Sequence, residues 1–90
     1  LGVCLGHQGI GEAFGATLEN LGDVLHGVAH RARILDSAEP LFATLPEELA
    51  VGRYHSWQVM QDGLPDDLHV TAEDEHGRIM ALAHRRYDVR

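Results

Sequence analysis

Apolar positions in this chain recur first at helical spacing and then in strand-like alternation, which divides it into a short opening and a longer, strand-rich remainder. Positions 1–4 read as the end of a buried strand. After Gly6, the residues Ile10, Ala13 and Phe14 follow one helical face until Gly15, a residue suited to the left-handed conformation that closes helices. Positions 16–19 alternate enough for a short strand, and 20–27 form a less regular connection. Arg31, Ala32, Arg33, Ile34 and Leu35 predict another strand over 31–36. A turn through Pro40 then leads to a helical piece at 41–43. Positions 49–51 and 54–60 read as extended segments broken near Gly52, with a turn at 63–67. The clearest prediction is a hairpin: 68–72 outward, an acidic turn at 73–77, and 78–84 returning. These elements describe a piece of an α/β sheet joined to a more antiparallel region.

Ninety residues suffice for one small domain with a modest core. The sequence starts without Met or a charged, then apolar leader, and stops at Tyr87-Asp88-Val89-Arg90 without a polar tail. Positions 1–90 are therefore expected to be the central part of a single domain, truncated at both ends. No apolar run is long enough to cross a membrane. Fourteen carboxylates oppose seven arginines and no lysine, for a net charge of −7, which argues against a nucleic-acid partner. A single cysteine cannot close an internal disulfide, which fits a reducing, cytoplasmic compartment and turns attention to thiol chemistry.

That cysteine stands in Gly2-Val3-Cys4-Leu5-Gly6, the form of a nucleophile elbow, in which a strand turns sharply into a helix and presents a reactive side chain. Flanking glycines relieve crowding there, and the positive end of the following helix suits a nucleophilic sulfur. The Leu5 N–H is positioned to stabilise an oxyanion. A buried, inert cysteine remains the alternative on this pattern alone.

The longer string Gly2-Val3-Cys4-Leu5-Gly6-His7-Gln8, followed by Ile10-Gly11-Glu12-Ala13-Phe14-Gly15, resembles the nucleophile motif of class I (triad) glutamine amidotransferases. Two further segments agree in order: Val51-Gly52-Arg53-Tyr54-His55-Ser56-Trp57, and the stretch from Asp74 to Tyr87 that leads toward the family's catalytic histidine. The resemblance implies a flavodoxin-like, three-layer α/β fold with a largely parallel central sheet and an antiparallel hairpin in the C-terminal half. It implies Cys4 as the nucleophile, Leu5 as an oxyanion donor, and Gln8, Ser56 and Trp57 as contacts to glutamine. No cofactor or metal is implied in this subunit. The partner implied is a chorismate-binding synthase subunit that receives the ammonia. The likeness is nearest to the components serving anthranilate synthesis; the para-aminobenzoate branch has nearly the same subunit, and a non-catalytic binding module is the rival class. The family's histidine-proline-glutamate motif is expected just beyond Arg90, and its glycine-rich loop upstream of the elbow. In place of a family lysine the chain has Val28 in His26-Gly27-Val28-Ala29.

The remaining polar clusters read blandly. His26 and His30 would share a helical face, but Gly27 disfavours that helix and no further ligands accompany them. Glu73, Asp74 and Glu75 read as a solvated hairpin tip, and Arg85-Arg86 as surface charge. His7 is expected to pack beside the elbow, His55 to position the loop carrying Ser56, and His84 to precede the catalytic strand without serving as the base.

Overall fold

The computed structural model describes residues 1–22 and 27–90, together with the backbone but not the side chain of Val28. One helix, α1 (Leu5–Ala13), is followed by β1 (Leu18–Asn20), β2 (Val28–Ile34), a 3₁₀ turn (Pro40–Phe42), β3 (Glu48–Arg53), β4 (Trp57–Val59), β5 (Leu68–Asp74) and β6 (Ile79–His84). β1 and β4 pair as a two-stranded sheet; the other four strands form a sheet in the order β3-β2-β5-β6.

Local chemistry accounts for most boundaries. Gly15 takes a φ of 95° just past α1, and its N–H returns to the Glu12 carbonyl. On β2, Ala32 and Ile34 are buried while Arg31 and Arg33 are exposed, so the alternation seen in the sequence faces the sheet's two sides. Glu39 caps the 3₁₀ turn by accepting the Leu41 N–H. The β5–β6 hairpin runs from Leu68 opposite His84 to Glu73 opposite Ile79, with irregular register around Ala72. The core is Val59, Leu68, Ile79 and Leu82, covered by Ile10 of α1, by Phe14 at its C-cap and by Leu18, Leu64 and Val70. Helix and small sheet thus close over the hairpin. Gly11 allows this approach, since a Cβ there would lie 2.9 Å from Val59 Cγ2.

Three expectations change. Positions 1–3 form no ladder: Leu1 and Val3 are 83% and 75% exposed, and the Gly2 N–H between them bonds the Arg90 carbonyl at 2.6 Å. The break between the extended segments falls at 54–56 rather than at Gly52, because Gly52 pairs normally with Ala29 and the ladder ends after Arg53. The α/β class stands, but every strand pair among the described residues is antiparallel. Only the β5–β6 pair is joined by a turn too short for the crossover a parallel pair needs. The His26 reading lies outside the described residues, as do positions 23–26 of the 20–27 connection.

Candidate active site

Cys4 occupies the N-cap of α1 with φ 57° and ψ −108°, the one positive φ at a non-glycine residue among those described. For an L-residue this conformation stores about 1–3 kcal/mol of strain, of the kind found at nucleophile elbows. The residue is exposed and its thiol is free of any disulfide. Of the two flanking glycines, Gly2 is sterically required: a Cβ there would stand 2.6 Å from the Gly6 carbonyl group and from Ile10 Cδ1. Gly6 is not, for its Cβ would meet nothing within 4 Å. The crowding expected on both sides of the cysteine exists on one.

Cys4 opens into a cavity of about 350 Å³ whose walls include His7, Gln8, Tyr54, His55 and Trp57. Two segments almost fifty residues apart are joined there by the Gln8 Nε2 amide, which donates to the Trp57 carbonyl at 3.2 Å. Backbone pairing supports that meeting: β1 follows α1 directly, Asn20 lies opposite Trp57, and the Leu21 N–H bonds the Ser56 carbonyl at 2.7 Å. Cys4, Gln8 and Trp57 thus line one cavity. Ser56 is half-buried beside them without lining the cavity, and Leu5 directs its side chain to solvent with 78% exposure. Arg90 also reaches the cavity wall and ion-pairs with Glu39 and Asp88.

The two histidines in the wall are both held below their ordinary value near 6.5. For His7 the chief cause is burial, followed by repulsion from His55. For His55 it is burial again, then the Arg53 guanidinium, with Asp74 opposing and Arg78 adding to the depression. His84 does not line this cavity. It is buried, its Nδ1 accepts the N–H groups of Arg86 and Tyr87, and its ring packs between Phe14 and Tyr87 at 4.6 Å from each.

A second cluster escaped the sequence reading. Arg53 and Asp74 form an ion pair at 2.6 Å with both side chains fully buried. Asp74 Oδ1 also accepts the His76 and Arg78 N–H groups. Burial pushes the Asp74 carboxyl upward, yet those two backbone bonds and the Arg53 charge together hold it below its ordinary value. The solvated acidic tip therefore applies to Glu75 alone: Asp74 turns inward, and Glu73 pairs with Arg33 at 2.6 Å. A usable signal was present in Asp74-Glu75-His76-Gly77, where an aspartate precedes the turn by the spacing that lets it bond backbone two residues on. Among the described residues, no three His, Cys, Asp or Glu side chains gather as metal ligands, and no helix is long and apolar enough to cross a membrane.

Comparison with known proteins agrees with this geometry. The family model for class-I glutamine amidotransferase matches residues 1–89. The chain is 54% identical over 85 residues to a protein of Azospirillum brasilense named anthranilate synthase, covering 94% of this chain and 11% of that protein. It is 42% identical to anthranilate synthase component 2 of Mycobacterium tuberculosis, covering 93% of this chain and 35% of the relative. It is equally 42% identical to aminodeoxychorismate synthase component 2 of Escherichia coli, covering 99% and 46%. The chain thus spans less than half the length of each of these relatives. A solved protein of Thermoplasma acidophilum, assigned as a GMP synthase subunit, superposes with a TM-score of 0.81 at 26% identity, covering 94% of this chain and 41% of that one. The backbone turning sharply at Cys4, the segment from Gly52 to Trp57 facing it and the matched family model carry the same conclusion: the chain belongs to the class-I glutamine amidotransferases.

Proposed function

We propose that this chain carries the nucleophile of a glutaminase subunit that supplies ammonia to a chorismate-binding synthase, and that the product is anthranilate. The observation that carries the reading is Cys4 held at positive φ on the N-cap of α1, open to a cavity walled by Gln8, His55 and Trp57. In this chemistry the Cys4 sulfur adds to the side-chain carbonyl carbon of glutamine, with the Leu5 N–H stabilising the developing oxyanion. The carbon–nitrogen bond then breaks, ammonia leaves carrying the proton delivered by a general base, and a γ-glutamyl thioester remains. Water hydrolyses the thioester to glutamate and restores the thiol. Gln8 would contact the bound glutamine, and Ser56 with the Trp57 backbone would hold its amino-acid end. No cofactor is called for by addition and hydrolysis at sulfur, and the free thiol suits a reducing, cytoplasmic setting.

By family resemblance the general base would be the histidine of a histidine-proline-glutamate motif, which does not occur within positions 1–90. The Gly2 N–H bonds the Arg90 carbonyl, which draws position 90 alongside the residues entering the elbow. The 54% identity to the Azospirillum relative, against 42% for the E. coli aminodeoxychorismate relative, favours anthranilate over the para-aminobenzoate branch.

The test is glutamine-dependent glutamate release by the intact protein with its chorismate-using partner, followed by identification of the aromatic product. Cys4→Ser is expected to abolish release. Unchanged hydrolysis in that variant would refute the mechanism, and aminodeoxychorismate as product would move the chain to the other branch. Partner binding without any turnover would favour a non-catalytic module.

A further inference from the structure

Arg53 ends β3 with its side chain wholly buried, and its guanidinium meets three partners from three parts of the chain. Nη1 meets Asp74 Oδ2 on β5 at 2.6 Å and His30 Nδ1 on β2 at 3.0 Å. Nη2 meets His55 Nε2 at 2.9 Å. A guanidinium offers five N–H donors and no acceptor, so each partner must accept. An imidazole accepts only through an unprotonated nitrogen. His55 Nε2 is therefore the proton-free, accepting nitrogen, and the neutral ring carries its proton on Nδ1.

We propose that Arg53 is a positioning residue for the glutamine-binding segment: it locks His55 as the neutral Nδ1–H tautomer and thereby sets the conformation of the 54–57 turn that faces Cys4. The inference rests on the glutaminase reading above. Arg53 itself does not line the cavity, whereas Tyr54, His55 and Trp57 do, so it acts through His55. The anchor behind it is firm, since Asp74 is fixed by the backbone of its own turn through the His76 and Arg78 N–H groups. Stability alone is a weak account of the arrangement, because apolar packing commonly replaces a buried ion pair at little loss. Asp74 is sufficient to neutralise the charge; the separate Nη2 bond to a ring in the cavity wall is what a purely structural pair would not need.

The experiment uses the intact protein. Long-range ¹H–¹⁵N correlation of the imidazoles in wild type should find His55 protonated at Nδ1 and bare at Nε2. Arg53→Met should raise the KM for glutamine about tenfold while kcat changes less than about threefold, the signature of lost ground-state binding. His55→Ala should do the same, and the double variant should be no worse than either single, because both act through one contact. A folded Arg53→Met protein with wild-type KM, fully additive effects, or a His55 protonated at Nε2 would each overturn the proposal while leaving glutamine hydrolysis by wild type intact. Should Arg53→Met fail to fold, the wild-type tautomer decides. Absence of glutamine hydrolysis by wild type with its partner would instead overturn the functional reading, and this inference with it.

Discussion

Adding one methyl group at Gly2 tests whether the elbow is shaped by a single close approach. In Gly2→Ala, the new Cβ would sit 2.6 Å from both the carbon and the oxygen of the Gly6 carbonyl, and 2.6 Å from Ile10 Cδ1. The isoleucine terminus can rotate away, but the Gly6 carbonyl is part of the first turn of α1. Reaching ordinary contact at 3.4 Å requires the helix start and residue 2 to separate by 0.8 Å, the difference from 2.6 Å. Cys4 lies between them and must move with one or the other. Overpacking of this kind costs about 1–3 kcal/mol of stability. Displacing a reacting group by nearly 1 Å costs on the order of 100-fold in rate. Urea denaturation of the intact protein should therefore show a lowered midpoint, and kcat/KM for glutamine hydrolysis should fall by about two orders of magnitude. Gly6→Ala supplies the contrast: its methyl meets nothing within 4 Å, and alanine in a helix gains up to about 1 kcal/mol over glycine, so stability should hold or rise. A Gly2→Ala protein with wild-type midpoint and activity, or equal destabilisation by both substitutions, would refute this account of the elbow.

Other consequences are equally direct. Asp74→Asn keeps an oxygen for the His76 and Arg78 N–H groups but leaves Arg53 buried without a counter-charge. It should cost about 3–5 kcal/mol by chemical denaturation. Arg31→Ala, which removes one partner of the exposed Arg31–Glu48 pair, should change stability by less than about 0.5 kcal/mol in the same assay. Gln8→Ala removes the donor to the Trp57 carbonyl and should raise the KM for glutamine several-fold more than it lowers kcat, as read from steady-state kinetics. His7 and His55 bind protons less readily folded than unfolded, so their contribution is fully present above the ordinary value of 6.5 and is lost as pH falls below it. The melting temperature should therefore decline on acidification through that window, less so in His7→Gln, and a flat profile would contradict it.

What the sequence disclosed follows the range of the interactions involved. The β5–β6 hairpin and β2 were legible because alternation is a local signal, and each strand has one face on the core. Gly15 was legible because the end of a helix imposes its own torsion. The start of the chain misled: Leu1 and Val3 have the composition of a buried strand, yet no neighbouring strand among the described residues covers them. Cys4 carried a spacing signal, but its meeting with Gln8 and Trp57 depends on the β1–β4 pairing, and the family resemblance supplied what spacing could not. Beyond the turn signal at Asp74, the Arg53 cluster had no local signature. Arg53, His30 and Asp74 are adjacent because β2 pairs with both β3 and β5, a fact of register rather than of any short motif.

That cluster joins stability to function, and one double substitution separates them. Asp74→Asn alone strands a buried cation; Arg53→Met alone strands a buried carboxylate and deprives His55 of its donor. Combining the two removes both charges while the amide oxygen introduced at position 74 still serves the turn, so neither desolvated ion remains. The double variant should then be more stable than the sum of the single losses predicts, by about 2 kcal/mol or more in a double-mutant cycle. His55 gains nothing from that recovery, because its hydrogen-bond donor is still absent. The KM for glutamine should accordingly stay as high as in Arg53→Met while the denaturation midpoint rises. If KM returned to the wild-type value together with stability, Arg53 would be a counter-ion and nothing more; if stability losses simply added, the buried pair would not be coupled at all. Recovery of the midpoint without recovery of KM is the outcome that assigns the guanidinium's second nitrogen to the site and its first to the fold.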